Sequence, residues 1–350
     1  MKQIIFVTGA MGRGGAERVI SLLSHHYVQL GWHVSIVMLL HNKVEYALDP
    51  EVEILDFSND KVKALLDMPR LIGKLRELVK TRKPNAVVAF MAQNCLVAGL
   101  ACRGLKTRLI QSERIDPSAV GRGKFYQAVL NDVYAKGTVT VLQTVRAKNY
   151  FPKKVQDNAV IIPNPIAVKT VAADQRKHRI VTAGRLTHQK NHKMLISAFA
   201  KIHKTYPEYT MDIYGEGPLQ ETLQQHINEH GLESVVVLRG NVPNIHEQIA
   251  DAEIFALPSN FEGLSNALLE AMMMGIACIS TDCAGSDEVI RSGENGILIP
   301  VGDQNAMECA LEQLIANPAF AAKLGQTAKE DSQQYTVDSV MAQWRKAIEG

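Results

Sequence analysis

Two glutamates in the stretch FEGLSNALLEAMMMG, Glu262 and Glu270, stand eight positions apart in different surroundings. Glu262 precedes a glycine in a loop-like segment. Glu270 lies among Ala, Leu and Met, about a turn and a half into a helix expected to begin near Ser265. A capping box would need Glu or Gln at position 268, which is Leu, so capping does not explain Glu270. A carboxylate among apolar neighbours must find hydrogen-bond donors. The vicinal hydroxyls of a ribose are one such set; a neighbouring backbone amide or cation is the other. Leu264, Ser265 and Asn266 place amides at the positive end of the same helix, where anions are favoured.

A second group is GRLTHQKN, Gly184 to Asn191, which follows an apolar strand and precedes a helix. Its Arg185 offers a planar fork and its Lys190 a mobile point charge, a combination suited to a diphosphate. The plainer reading is two solvated surface cations. A third group is GAMGRGGAER, Gly9 to Arg18. Its glycines allow close backbone approach to a phosphate at a helix N-terminus. It is not a P-loop, because no Lys-Ser/Thr follows. It does not fit G-x-G-x-x-G, because Glu17 stands at the third glycine counted from Gly12. The strand HVSIVMLL ends at His41 with no acid for a ribose, which argues against a nicotinamide cofactor.

These groups sit on an alternation of strands and helices. KQIIFVT, the glycine loop, an amphipathic run from Ala16 to Leu30 and HVSIVMLL make a βαβ unit. NAVVAFM, TRLIQS and TVTVLQT extend that parallel sheet. VIIPNPIAV, residues 160–168, carries two prolines around Asn164 and reads as a linker. After it RIVTAG, YTMDIYG, VVVLRG, EIFALPS, ACISTD and NGILIPV alternate with helical stretches. The expectation is an α/β chain of two doubly wound domains, 1–164 and 165–336. A terminal helix, 337–350, could return to the first domain. Ligands of such sheets bind at the carboxyl ends of the strands.

The totals narrow the class. The 350 residues are 46% hydrophobic and 21% charged, an ordinary globular mix. Five cysteines without a CxxC pair argue for reduced thiols and against a zinc site. The short apolar run after Met1 is better read as a first strand than as a signal peptide or membrane span. The net charge of +2 conceals a split: residues 1–170 carry 24 Lys+Arg against 13 Asp+Glu, the remainder 14 against 23. A basic first half suits an anionic partner. No aromatic stacking platform accompanies it, so nucleic acid is not expected.

Glu262 and Glu270 as E-x7-E, GRLTHQKN upstream and GRGGAE near the start together resemble the family 4 retaining glycosyltransferases, and the resemblance covers nearly the whole chain. It implies the GT-B fold, two facing Rossmann-like domains with a cleft between them. The first domain would bind the acceptor and the second the nucleotide sugar. It places Arg185 and Lys190 on the donor diphosphate, Glu262 on the donor sugar and Glu270 on the ribose. The amides of Gly263, Leu264, Ser265 and Asn266 would help hold sugar and phosphates. YGEGP with Gly215 and RGNVPN with Val242 match loops lining the base pocket; Gly14 and Gly15 match the loop that closes on the diphosphate. Many members reach the donor sugar with a histidine in Ser-Glu-His; this chain reads QSERID, which makes Arg114 the candidate at that place.

The expected chemistry is retaining transfer from a nucleotide sugar, UDP-linked, without metal or other cofactor. Arg185, Lys190 and helix amides face the charge that develops on the leaving diphosphate, and the chain has no Asp-x-Asp. The chain most resembles bacterial enzymes that extend undecaprenyl-diphosphate-linked glycans, some of which transfer N-acetylhexosamines. That implies a lipid-linked or polysaccharide acceptor and a cytoplasmic protein peripheral to the plasma membrane. Lys61 to Lys83 carries eight Lys/Arg beside a Leu/Ile stripe, a candidate contact for an anionic membrane surface. A nucleotide-sugar-binding protein without turnover, or an epimerase of related fold, are the competing readings.

Overall fold

The computed structural model describes residues 1–12, 14–59, 67–115, 117, 118, 120–168, 175–283 and 285–350. Arg13, Lys61 and Lys63 of the stretches above lie outside the described residues. The chain divides into two compact units, Met1–Pro165 with Val340–Gly350, and Ile166–Ser339.

In the first unit the order is β1 (Gln3–Thr8), α1 (Gly15–Gln29), β2 (His33–Met38), β3 (Glu53–Asp56), α2 (Met68–Arg82), β4 (Ala86–Phe90), α3 (Ala92–Cys102), β5 (Arg108–Ser112), α4 (Lys124–Lys136), β6 (Val139–Leu142), α5 (Val145–Tyr150), α6 (Lys153–Gln156) and β7 (Ala159–Ile161). The seven strands are parallel, in the order β3-β2-β1-β4-β5-β6-β7. Ile4 to Val7 and Ala86 to Phe90 are fully buried, as expected of central strands covered on both faces. The linker expected over 160–168 begins too early: Ala159–Ile161 pairs with β6 as an edge strand, and the prolines that stop it follow at Pro163 and Pro165.

The second unit continues with β8 (Lys177–Ala183), α7 (His192–Thr205), β9 (Thr210–Tyr214), α8 (Gln220–Glu229), β10 (Val236–Gly240), α9 (Ile245–Ile249), β11 (Ala252–Leu257), α10 (Asn266–Met273), β12 (Ala277–Thr281), α11 (Ser286–Val289), β13 (Ile297–Ile299), α12 (Gln304–Ala316) and α13 (Pro318–Asp331). Its sheet is also parallel, in the order β10-β9-β8-β11-β12-β13. One core packs α7, α8 and α12 on the sheet; another packs α10 on β11 and β12.

The last helix, α14 (Val337–Glu349), falls with the first unit from Val340 onward. Its Trp344 is fully buried with its ring centroid 5.5 Å from that of Phe90 at the end of β4. Arg108 Nε donates to Ala347 O at 3.1 Å.

Candidate functional site

The chain leaves β8 for β9 and β10 on one side, then returns to place β11 on the other. Loops after β8 and β11 therefore diverge at a topological switch point, where doubly wound sheets bind ligands. GRLTHQKN is the loop after β8, and Ser259 to Ser265 is the loop after β11. The two are stitched together. Asn260 N donates to Gln189 O at 2.8 Å and Asn260 Nδ2 to His188 O at 2.8 Å. Gln189 Nε2 donates to Phe261 O at 3.0 Å.

This stitching brings Lys190 Nζ to 2.5 Å from Glu262 Oε1, with the side chains 14% and 8% exposed. Ser259 Oγ donates to the same oxygen at 2.7 Å. A Cβ at Gly184 would lie 2.9 Å from Lys190 Cε, so the missing side chain makes room for the lysine stem. Arg185 is exposed and makes no ion pair among the described residues. Next to Lys190, His192 is buried at the start of α7, and burial, with the Lys190 charge second, pushes its imidazole down to about 4. It is therefore neutral at pH 7, which spares Lys190 a second cation beside it.

The floor of the site is backbone laid on backbone. Gly215, at φ +130°, would put a Cβ 2.1 Å from Gly184 O. Gly217 would put one 2.5 Å from Leu186 O. Leu186 N donates to Glu216 O at 2.9 Å, and Gly215 N to Gly240 O at 2.8 Å. On the other side Gly285, at φ +86°, presses on Gly263, whose oxygen would be 2.3 Å from an added Cβ. Leu264 and Ser265 are buried. Ser265 is the N-cap of α10, its Oγ accepting from Leu268 N at 3.5 Å, and Asn266 is the first helical residue.

Glu270 is 8% exposed, and its Oε2 lies 3.5 Å from His246 Nε2 of α9. The imidazole is a neighbour the sequence did not reveal. Val242, in the loop between β10 and α9, lines a cavity of about 490 Å³. Arg179 and Arg239 both bind the Asp212 carboxylate there, at 2.7 Å each. Among the described residues no group of three or more His, Cys, Asp or Glu side chains gathers to hold a metal ion.

Gly14, Gly15 and Arg114 belong to the first unit. Gly14 is the N-cap of α1, and Glu17 folds back so closely that its Oε2 would lie 2.2 Å from a Cβ on Gly14. Burial raises the Glu17 carboxyl while its own backbone amide lowers it. The positive end of α1 is thus met by the chain's own carboxylate. Arg114 is buried among partners of its own unit. Its guanidinium lies 5.1 Å from the Trp344 ring centre and 5.6 Å from that of Phe90. Nη1 donates to Ile162 O at 3.1 Å and Asn164 Oδ1 at 3.3 Å. Burial pulls its pKa down to about 9. In this structure Arg114 joins the end of β5 to α14 and to the proline-bounded segment after β7.

A family described as "Glycosyl transferases group 1" matches residues 165–331, most of the second unit. A Campylobacter jejuni protein named N-acetylgalactosamine-N,N'-diacetylbacillosaminyl-diphospho-undecaprenol 4-alpha-N-acetylgalactosaminyltransferase is 30% identical over 328 residues, 87% of this chain and 88% of its own. The chain belongs to the group 1 glycosyl transferases. A second C. jejuni protein of this kind, GalNAc-alpha-(1->4)-GalNAc-alpha-(1->3)-diNAcBac-PP-undecaprenol alpha-1,4-N-acetyl-D-galactosaminyltransferase, is 24% identical, covering 99% of this chain and 98% of its own. Among solved structures, Anabaena Alr3699/HepE in complex with UDP and glucose aligns at a TM-score of 0.85 and 17% identity, covering all of both chains. Sucrose-phosphate synthase from Thermosynechococcus elongatus aligns at 0.84 and 16%, covering 100% of this chain and 98% of its own. The fold of this group 1 chain is GT-B.

Proposed function

We propose that this glycosyltransferase moves a sugar, with retention of configuration, from a UDP-linked donor to a lipid-linked or polysaccharide acceptor in bacterial surface-glycan synthesis. The observation that carries the reading is the Lys190–Glu262 contact at the β8/β11 switch point, 2.5 Å long and nearly closed to water. Lys190 and Arg185 face the donor diphosphate, and the amides of Gly263 to Asn266 meet it at the positive end of α10. As the anomeric bond breaks, charge grows on the leaving phosphate, and these fixed groups bind the transition state better than the ground state. Glu262 orients the donor sugar, and Glu270 accepts from the ribose hydroxyls. A protein cation in this position does the work a divalent ion does elsewhere, so transfer runs without metal.

The relatives' names support the substrate class: diphospho-undecaprenol carriers and N-acetylgalactosaminyl transfer belong to the two C. jejuni proteins, and by analogy an N-acetylhexosamine and a lipid-diphosphate acceptor fall to this chain. The first unit takes the acceptor, and the protein works from the cytoplasmic face of the membrane. Incubating the chain with UDP-N-acetylhexosamines and a polyprenyl-diphosphate-linked saccharide tests the reading. A lengthened glycan, formed equally well in excess chelator, is the expected product. Donor binding with no transfer to any carrier-linked acceptor would overturn it, and activity restored only by a divalent ion would overturn the metal-free chemistry.

A further inference from the structure

The arginines of the basic stretch on α2 are engaged within the first unit, while its Lys74, Lys80 and Lys83 are exposed. Arg70 binds Asp67 and Phe57 O, Arg76 donates to Ala101 O and Arg103 O, and Arg82 pairs with Glu53. Leu71, Leu75 and Val79 are buried in the first unit's core. The apolar stripe faces inward, Arg82 ties the helix to β3, and Arg76 ties it to the end of α3. A different place in the unit combines exposed apolar side chains with positive charge.

Phe125, the second residue of α4, is 84% exposed. Ile115 follows β5 at 41% exposure, and Val145 opens α5 at 49%. β5 and β6 are neighbours in a parallel sheet, and α4 and α5 begin where the chain has just left them. All three residues therefore belong to the carboxyl edge of the first sheet, the edge where such sheets take ligands. Lys124 and Arg146, adjacent to Phe125 and Val145, are both exposed.

The segment leading to Phe125 is anchored from beneath. Arg122 Nη2 binds Glu113 Oε2 at 2.6 Å with the side chains 7% and 1% exposed, and Tyr134 Oη donates to the same oxygen at 3.2 Å. Gly121 and Gly123 on either side of Arg122 face open space. A buried ion pair thus fixes a stem whose tip is a bare aromatic ring. An exposed phenylalanine beside a lysine is suited to the boundary between headgroups and acyl chains, where the ring enters and the cation stays with anionic phosphates. The unit's excess of basic residues acts in the same direction.

We propose that Phe125 inserts into an anionic bilayer, with Lys124 on the headgroups and Ile115 and Val145 on the same edge of the sheet. The insertion delivers the diphosphate-linked end of a lipid-carried acceptor to the carboxyl edge of the first sheet. This rests on the reading that the acceptor is lipid-linked.

The test uses the full chain with phosphatidylglycerol and phosphatidylcholine vesicles and the variants Phe125→Ser and Phe125→Trp. Wild-type protein should sediment with the anionic vesicles, and Phe125→Ser should bind them about tenfold or more weakly, the loss expected for one phenylalanine returned to water. Phe125→Trp should gain blue-shifted emission quenched by brominated acyl chains, over the background of Trp32 and Trp344. Transfer to a long-chain acceptor in vesicles should fall in Phe125→Ser, while transfer to a short-chain, water-soluble acceptor holds. Equal vesicle binding by wild type and Phe125→Ser, or unquenched F125W emission, overturns the insertion and leaves the lipid-linked reading standing. No wild-type binding to any vesicle also overturns the insertion. Concentration-dependent self-association lost in Phe125→Ser overturns it by making the face a contact between copies. Failure of every variant and the wild type on all carrier-linked acceptors breaks the underlying reading instead.

Discussion

The carboxyl edges of the two sheets have the same topology and opposite chemistry. In the second unit the edge is built from paired charges and glycine backbones in contact. Lys190 meets Glu262, and Gly215 and Gly217 lie on the backbone of the Gly184–Leu186 loop. In the first unit the edge presents bare apolar side chains, and the helix end at its glycine loop is met by Glu17 of the same chain. A parallel doubly wound sheet supplies a place for a ligand, and the loops decide which ligand. A diphosphate needs fixed donors of known geometry; a lipid carrier needs little more than apolar surface and diffuse positive charge.

The comparison breaks most visibly at Lys190. Lys190→Ala should reduce kcat/KM by about 2–4 kcal/mol, the range for a lost donor to developing charge. The double variant Lys190→Ala/Glu262→Gln should lose less than the sum of the singles, because the two side chains touch. Steady-state kinetics at several donor concentrations measure both, and additive losses would show that the contact has no part in transfer.

The glycines sharpen the contrast. At Gly215 the φ of +130° and the carbonyl of Gly184 both oppose a side chain, so Gly215→Ala should lower stability by about 1–3 kcal/mol in a denaturant titration. Gly14→Ala meets only the far end of a flexible glutamate, and its φ of −144° suits any residue. Its loss should stay within about 0.5 kcal/mol. Equal losses at the two positions would mean that the first unit's loop is as tightly built as the second's.

His192 gives a smaller, pH-dependent effect. Its folded pKa is depressed to about 4 from 6.5, so between these values the unfolded chain binds the proton and the folded one does not. Stability therefore falls as pH drops from 7 towards 4, by about 1–2 kcal/mol at pH 5. His192→Gln should flatten that part of the profile in thermal melts taken between pH 5 and 7. An unchanged slope would place the acid sensitivity elsewhere.

Much of the fold could be read from local pattern. The six strands expected after residue 168 all form, and the glycine loops fall at strand ends, because burial on both faces of a parallel sheet writes continuous apolar runs into the sequence. The short edge strands β3 and β7 were missed. β3 alternates half-buried and exposed over four residues and carries an acid at each end, and β7 is three residues running into prolines, so neither stands out. At the site, Glu262, Lys190 and Ser265 were legible as residue types beside turns. Ser259, Asn260 and Gln189 were not, since a serine or amide acquires meaning only from what lies across the neighbouring loop.

Sequence alone determined that the chain alternates strands and helices in two halves of opposite charge, because period, punctuation and charge are properties of consecutive residues. It also determined which side chains could do chemistry. The partners were decided by tertiary structure. Nothing in the order of residues says that Lys190 reaches Glu262 across 72 positions, that Glu270 meets His246, or that Arg114 lies against Trp344, 230 positions later. Those distances are set by which strands become neighbours, and strand order is the outcome of burying every helix and strand at once.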